Sequence, residues 1–272
     1  MSLTVNADGT HEQRLFVGPS EFPHWSPDGG AVSIFCCDNG MAAHVVDPDN
    51  GSFRELAPPD PTLEIYCGIW SSNATRFACE SFGVTDASRN GIHSIRASDG
   101  GGLQWITSNP GGDGFPGDHS PDGERLVFVR AHPTGQVGLF VTGLNGDGLR
   151  RISPAGMIVD QGFVGSWSPT GNQILFPART TPGHHRAIWV VNADGSALRP
   201  LAVTPSCGGP SSEPTSIDCF DPGWSPDGTM VVFTRKTAQE TQGNIYTVHA
   251  DGSGLFQVTY TGRNSQPDWG PD

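Results

Sequence analysis

Lysine is nearly missing from this chain: Lys236 is the only one, and arginine supplies the other fourteen basic residues. Asp and Glu outnumber Lys and Arg by 28 to 15, giving a formal net charge of −13. Gripping a phosphate backbone takes a clustered basic stripe, and its absence argues against a nucleic-acid partner. No apolar run reaches the roughly 18 residues of a membrane-spanning helix. Helical periodicity of useful length is lacking, and so is the basic-then-apolar start of a signal peptide. Catalytic signatures are missing as well, with no G-x-S-x-G elbow, H-E-x-x-H, C-x-x-C, phosphate-binding loop or dinucleotide fingerprint.

Turn chemistry is abundant instead, with 37 glycines and 23 prolines among 272 residues. Much of it sits in a segment that recurs at intervals of about 45 to 57 residues. The copies are Trp25–Gly29 (WSPDG), Trp70–Ala74 (WSSNA), His119–Gly123 (HSPDG), Trp167–Gly171 (WSPTG), Trp224–Gly228 (WSPDG) and Trp269–Asp272 (WGPD). Proline presets the first turn position and glycine takes the left-handed one, so each copy is a hairpin tip between a strand a and a strand b. Apolar runs follow the first five tips at Ala31–Phe35, Arg76–Cys79, Arg125–Val129, Gln173–Phe176 and Met230–Thr234. A second hairpin, strands c and d, turns at Asp8-Gly9, Asn50-Gly51, Asp99-Gly100, Asn145–Gly148, Asp194-Gly195 and Asp251-Gly252. Four short strands per unit at this period predict an all-β, six-bladed β-propeller in one domain spanning residues 1–272.

The repeated P-x-W-S-P-D-G tip, the following apolar strand and the Ile-Tyr…Asp-Gly…Leu-Thr hairpin resemble the TolB-type, WD40-like (PD40) propeller repeat. The fifth unit, Pro222–Thr259, matches that pattern almost position by position. The second departs most, with Ser72, Asn73 and Ala74 at the tip, and His119 replaces the tryptophan in the third. The resemblance implies an extracytoplasmic propeller, periplasmic or secreted, that binds proteins or peptides across a face or at the channel mouth.

The chain enters directly at a c/d hairpin and stops at Trp269–Asp272, so six strands a face five strands b. The expectation is a fragment of a longer protein, with Met1–Leu3 a cloning scar and any export signal upstream. Ring closure is expected between the N-terminal c/d hairpin and Gln266–Gly270, the last strand a. The six cysteines point to an oxidising compartment. Cys207 and Cys219 bracket an irregular Gly/Pro/Ser-rich loop that a disulfide would staple. Cys67 and Cys79 lie at matching distances on either side of a tip, as a bonded pair or as two buried thiols. Cys36 and Cys37, adjacent on a strand, should face opposite ways.

Turns a-to-b and c-to-d are short and alike, whereas the d-to-a and b-to-c connections vary and lie at the opposite strand ends. Function concentrates on variable loops held by a rigid frame. That irregular face carries Arg130, His132, Arg179, His184, His185, Arg186, Arg235 and Lys236 near the ends of strands b, and Asp113, Asp118, Asp160, Asp218 and Asp221 on the approach to the inner strands. One reading is a mixed-charge mouth for a protein, peptide or anionic ligand; the plainer one is solvated charge at strand ends. Adjacent His184 and His185 are poor joint ligands for one ion, and no metal or other cofactor is expected. A non-enzymatic, monomeric scaffold leads. Its rivals are a carbohydrate-active lyase or hydrolase with its site at the channel mouth, and a sensor or structural domain of a larger protein.

Overall fold

The computed structural model describes residues 2–16, 21–35, 41–162 and 165–271. Each tip folds as its chemistry requires. In the first, Asp28 Oδ1 accepts hydrogen bonds from Ser26 Oγ (2.6 Å) and from the amide of Gly30 (3.1 Å), while Gly29 takes φ 72°. In the second, Asn73 accepts the Ser71 hydroxyl at 2.8 Å and Ala74 adopts φ 57°, so the same turn forms without Pro, Asp or Gly.

Five four-stranded antiparallel sheets follow one another along the chain, each running from an inner strand a to an outer strand d. A two-stranded sheet, β1 (Ser2–Thr4) and β2 (Gln13–Phe16), precedes them. The blades are β3 (Glu21–Trp25), β4 (Val32–Phe35), β5 (Ala43–Val46) and β6 (Phe53–Leu56); β7 (Leu63–Trp70), β8 (Arg76–Gly83), β9 (Gly91–Arg96) and β10 (Gln104–Ser108); β11 (Asp113–His119), β12 (Arg125–Ala131), β13 (Val137–Gly143) and β14 (Arg150–Arg151); β15 (Ser166–Trp167), β16 (Gln173–Ala178), β17 (Ala187–Asn192) and β18 (Arg199–Pro200); and β19 (Asp218–Trp224), β20 (Met230–Lys236), β21 (Asn244–His249) and β22 (Phe256–Gln257). The one helical element among the described residues is a single 3₁₀ turn, Ala87–Arg89. Cys36 and Cys37 lie outside the described residues.

The all-β propeller stands, with five four-stranded blades rather than six. The sixth unit has no strand b, and no ladder joins residues 266–271 to β1 among the described residues. The two ends nevertheless meet, since Val5 and Trp269 pack on the same cluster of Val232, Ile245 and Val258. Gly270 lies against Trp25 so closely that a Cβ there would be 3.2 Å from the indole, which admits only glycine without displacement.

Strands b form the buried centre of each blade. Nine residues after the Trp or His of the motif stand Ile34, Cys79, Phe128, Phe176 and Phe233, each fully buried. Where the second unit has cysteine instead of a large apolar residue, the Cys67–Cys79 disulfide spans directly opposed positions of β7 and β8, with Cα atoms 4.1 Å apart. Trp70, Trp167 and Trp224 are 7%, 4% and 9% exposed and join the buried clusters, as inter-blade aromatics should.

The Cys207–Cys219 disulfide ties the long connection before β19 to that strand. Closing so short a loop stabilises by roughly 3 kcal/mol in the chain-entropy model. The Cys207→Ser/Cys219→Ser variant, which leaves Cys67–Cys79 in place, is therefore expected to be cut faster between residues 203 and 217 while the blades keep their circular dichroism. Simultaneous loss of the β-sheet signal would show that this bond holds more than the loop.

Candidate functional site

Six inner segments, residues 22–25, 69–70, 117–118, 165–166, 221–223 and 266–269, enclose a central cavity of about 200 Å³. Three of them share one sequence, X-Pro-x-Trp: Phe22-Pro23-His24-Trp25, Asp221-Pro222-Gly223-Trp224 and Gln266-Pro267-Asp268-Trp269. The residue before proline takes a positive φ in each, 48° at Phe22, 51° at Asp221 and 59° at Gln266. In β3 and β19 this coincides with a break in register. A bulge takes one residue out of the ladder and redirects its side chain.

The freed groups are taken up by the neighbouring unit. The Gln266 amide donates to Asp221 Oδ2 (3.2 Å) and to Thr234 Oγ1 (3.1 Å), and the Phe22 amide donates to Gln266 Oε1 (3.0 Å). A second tier repeats the pattern immediately before the Trp or His. The amide of Trp25 donates to Asp268 Oδ2 (2.7 Å) and that of Trp167 to Asp118 Oδ2 (2.8 Å). Carboxylates of the inner strands thus clasp one unit to the next around the channel.

This placement alters their chemistry. Burial raises the Asp118 carboxyl to about 7, with the Asp268 charge adding to the rise and the Trp167 amide opposing it. Burial likewise lifts Asp221 to about 7, against the opposing charge of Arg186. Asp268 is raised by burial and His24 lowered by it, the two standing 3.9 Å apart. Some 27% and 28% of the His24 and Asp268 side chains touches solvent, yet protein surrounds both groups, so little polarisable medium is left to stabilise their charges.

The charges expected on the irregular face are placed differently. The β12 and β20 ladders run on past the apolar runs into polar residues, because paired backbone needs no apolar side chain. Arg130, Arg235 and Lys236 therefore lie within strands rather than loops, and Asp113, Asp118, Asp218 and Asp221 lie within β11 and β19. Arg179 forms an ion pair with Asp160, and Arg186 forms one with Asp218 through its amide (2.8 Å), Nε (3.0 Å) and Nη2. His185 stands 3.9 Å from the same carboxylate, and the His184 carbonyl accepts from Arg179 at 3.2 Å. Arg130 donates to Asn109 Oδ1 (3.1 Å) and the Ser108 carbonyl (3.0 Å), and Arg235, buried, lies over Tyr246. Among the described residues the His132 side chain bonds within its own turn, to Thr134 Oγ1 at 2.9 Å. Two of these groups, Asp118 and Asp221, reach the channel.

Sequence reasoning passed over His24, Gln266 and Asp268, which the X-Pro-x-Trp pattern marks. It also passed over Glu80, 8% exposed, whose carboxyl is raised to about 8 by burial and then by the Asp113 charge. Among the described residues no helix is long and apolar enough to cross a membrane.

No known protein-family profile matches the chain. Among solved structures it is similar to a putative TolB from Agrobacterium tumefaciens, with a TM-score of 0.76 at 18% identity over 100% of this chain and 95% of that one. TolB from Acinetobacter baumannii gives 0.73 at 17% identity over 99% of this chain, which spans 62% of that protein. An oligogalacturonate lyase in complex with manganese gives 0.60 at 14% identity, over 92% and 70% of the two chains. At these identities the likeness shows one thing, that this chain has the β-propeller fold of the TolB structures.

Proposed function

We propose that the chain is a non-enzymatic, extracytoplasmic interaction scaffold, similar to TolB-type propellers, that holds a protein or peptide partner on its irregular face at the channel mouth. The observation that carries this is the channel itself, where Asp118, Asp221 and Asp268 converge on one cavity between clasped inner strands. The partner is a peptide that presents a lysine or arginine, because Asp160 and Asp218 already pair with Arg179 and Arg186 on the loop face, while the channel holds acid groups in excess. In this reading the ring has six positions, the sixth shared by the β1–β2 hairpin and residues 266–271. Two disulfides suit an oxidising compartment.

The test is fluorescence anisotropy at pH 8, where Asp118 and Asp221 are ionised, with peptide sets matched in length and rich in Lys/Arg or in Glu. Cationic peptides should bind, more weakly as salt rises, and Asp221→Asn should weaken them at least tenfold. Equal binding of both sets, or none, overturns the proposal. The likeness to oligogalacturonate lyase favours a second reading, a carbohydrate lyase. Among the described residues no group of three or more His, Cys, Asp or Glu side chains is placed to hold a metal such as the manganese in that structure. Cleavage of polygalacturonate by the purified chain would establish the lyase in place of the scaffold.

A further inference from the structure

On the opposite, regular face a groove of about 580 Å³ opens between the first and second blades, lined by Arg54, Arg76, Arg96, Asp28 and Trp70. Its cations are built in. Arg54, on β6, reaches across the blade boundary and donates to the carbonyls of Ala97 (2.7 Å) and Ser98 (3.2 Å). Arg76 is held by Ser94 Oγ (2.6 Å) and by the carbonyls of Ser94 (3.0 Å) and Gly102 (2.5 Å). Neither forms an ion pair among the described residues, although the chain carries a large excess of acid. Arg96 pairs with Asp99 and lies across Gly101 and Gly102, where a Cβ at either position would come within 2.6 Å of its guanidinium. The glycines let that side chain lie flat beside the groove. Arg76 and Arg96 are close enough that the charge of Arg96, after burial, lowers the pKa of Arg76.

The charge count selects the ligand. Three guanidiniums stand against two carboxylates, Asp28 and Asp99, which leaves one net positive charge. Asp28 accepts the Ser26 hydroxyl and the Gly30 amide through Oδ1, leaving Oδ2 with no bond inside the chain among the described residues, an acceptor for hydroxyl groups. A phosphate dianion would bring a second negative charge beside Asp28. A carboxylate adds only one, and its two oxygens can take the donors that the internal bonds leave over, Nη1 of Arg76 and Nε of Arg54. We infer that this groove is a binding site for a hydroxylated monocarboxylate, a hexuronate, whose carboxylate meets Arg54 and Arg76 and whose hydroxyls meet Asp28. It stands apart from the channel and is independent of the scaffold reading.

Titration calorimetry and saturation-transfer NMR with D-glucuronate, D-glucose and inorganic phosphate test this. Glucuronate should bind, glucose and phosphate at least tenfold more weakly, and Arg54→Gln and Arg76→Gln should each weaken glucuronate at least tenfold with unchanged circular dichroism. Arg54 is exposed, so its variant folds even if the Arg76 variant does not. Absence of glucuronate binding, equal binding of glucose, tighter binding of phosphate, or full binding by Arg54→Gln overturns the assignment.

Discussion

Replacing Asp218 with alanine is expected to lower the unfolding free energy by about 3–5 kcal/mol, the usual consequence of leaving one member of a buried ion pair alone. Arg186 and Asp218 expose only 11% and 13% of their side chains. The arginine also lies over the Phe220 ring at 4.3 Å, so its position is fixed before any charge is considered. Without the carboxylate, a guanidinium stays where water cannot solvate it. Burial by itself pushes the Asp218 carboxyl up, yet the hydrogen bonds and charge of Arg186 outweigh this and hold it below its usual range. The pair's contribution is therefore present at neutral pH and fades only under acid conditions. Urea unfolding checks the figure, and the double variant Arg186→Met/Asp218→Leu should recover most of the loss because neither charge remains. A double variant whose cost equals the sum of the single ones would show that the two side chains act separately.

Stability is expected to fall as pH rises from 6.5 to 8, the reverse of ordinary acid unfolding. Asp118 and Asp221 at about 7 and Glu80 at about 8 bind protons in the folded chain that the unfolded chain has already released. Their contribution is complete below about pH 4, where unfolded carboxyls protonate, and is lost as pH climbs through 7 to 8. Burial pulls His93 and His119 down to about 4 and also lowers His24, which acts in the opposite sense because the unfolded histidines charge first on acidification. That opposition operates only below about pH 6.5. Between pH 4 and 6.5 the two sets offset one another, and above it the carboxylates alone set the slope. The carboxylates with lowered pKa, such as Asp28 and Asp122, stay ionised throughout this window. Asp118→Asn should keep the bond to Trp167 and raise stability at pH 8 by about 2 kcal/mol, after allowance for channel water, or about 4–8 °C in Tm. Melting curves from pH 5 to 8 decide it, and a variant that tracks the parent chain at pH 8 refutes the account.

The tips were legible because Pro, Asp and Gly act locally: Ser26 and Asp28 form the turn whatever surrounds them. The buried strands b were legible as well, as unbroken apolar runs after each tip, and they are covered on both faces. The bulges were not. A positive φ at Phe22 or Gln266 is against local preference, and it persists because a neighbouring unit supplies a partner for the freed amide. The ion pairs were missed for a related reason. Arg179 and Asp160 are 19 residues apart, and Arg186 and Asp218 are 32 apart, so each side chain looked like open charge until the ring brought its partner alongside.

The seam gives the chain an unusual timetable during synthesis. Each four-stranded blade is contiguous in sequence and can form soon after its last strand leaves the ribosome. The β1–β2 hairpin settles only in part so early: Leu15 and Phe16 of β2 pack on Val32, Ile34 and Val46 of the first blade, but Val5, beside β1, shares its cluster with Val232, Ile245, Val258 and Trp269, in and beyond the last blade. At about 5–20 residues per second that second contact waits on the order of 10 to 50 s. The stretch around β1 thus keeps a bare sheet edge longer than any blade does, and through that interval it is where the folding chain most needs shielding from its neighbours.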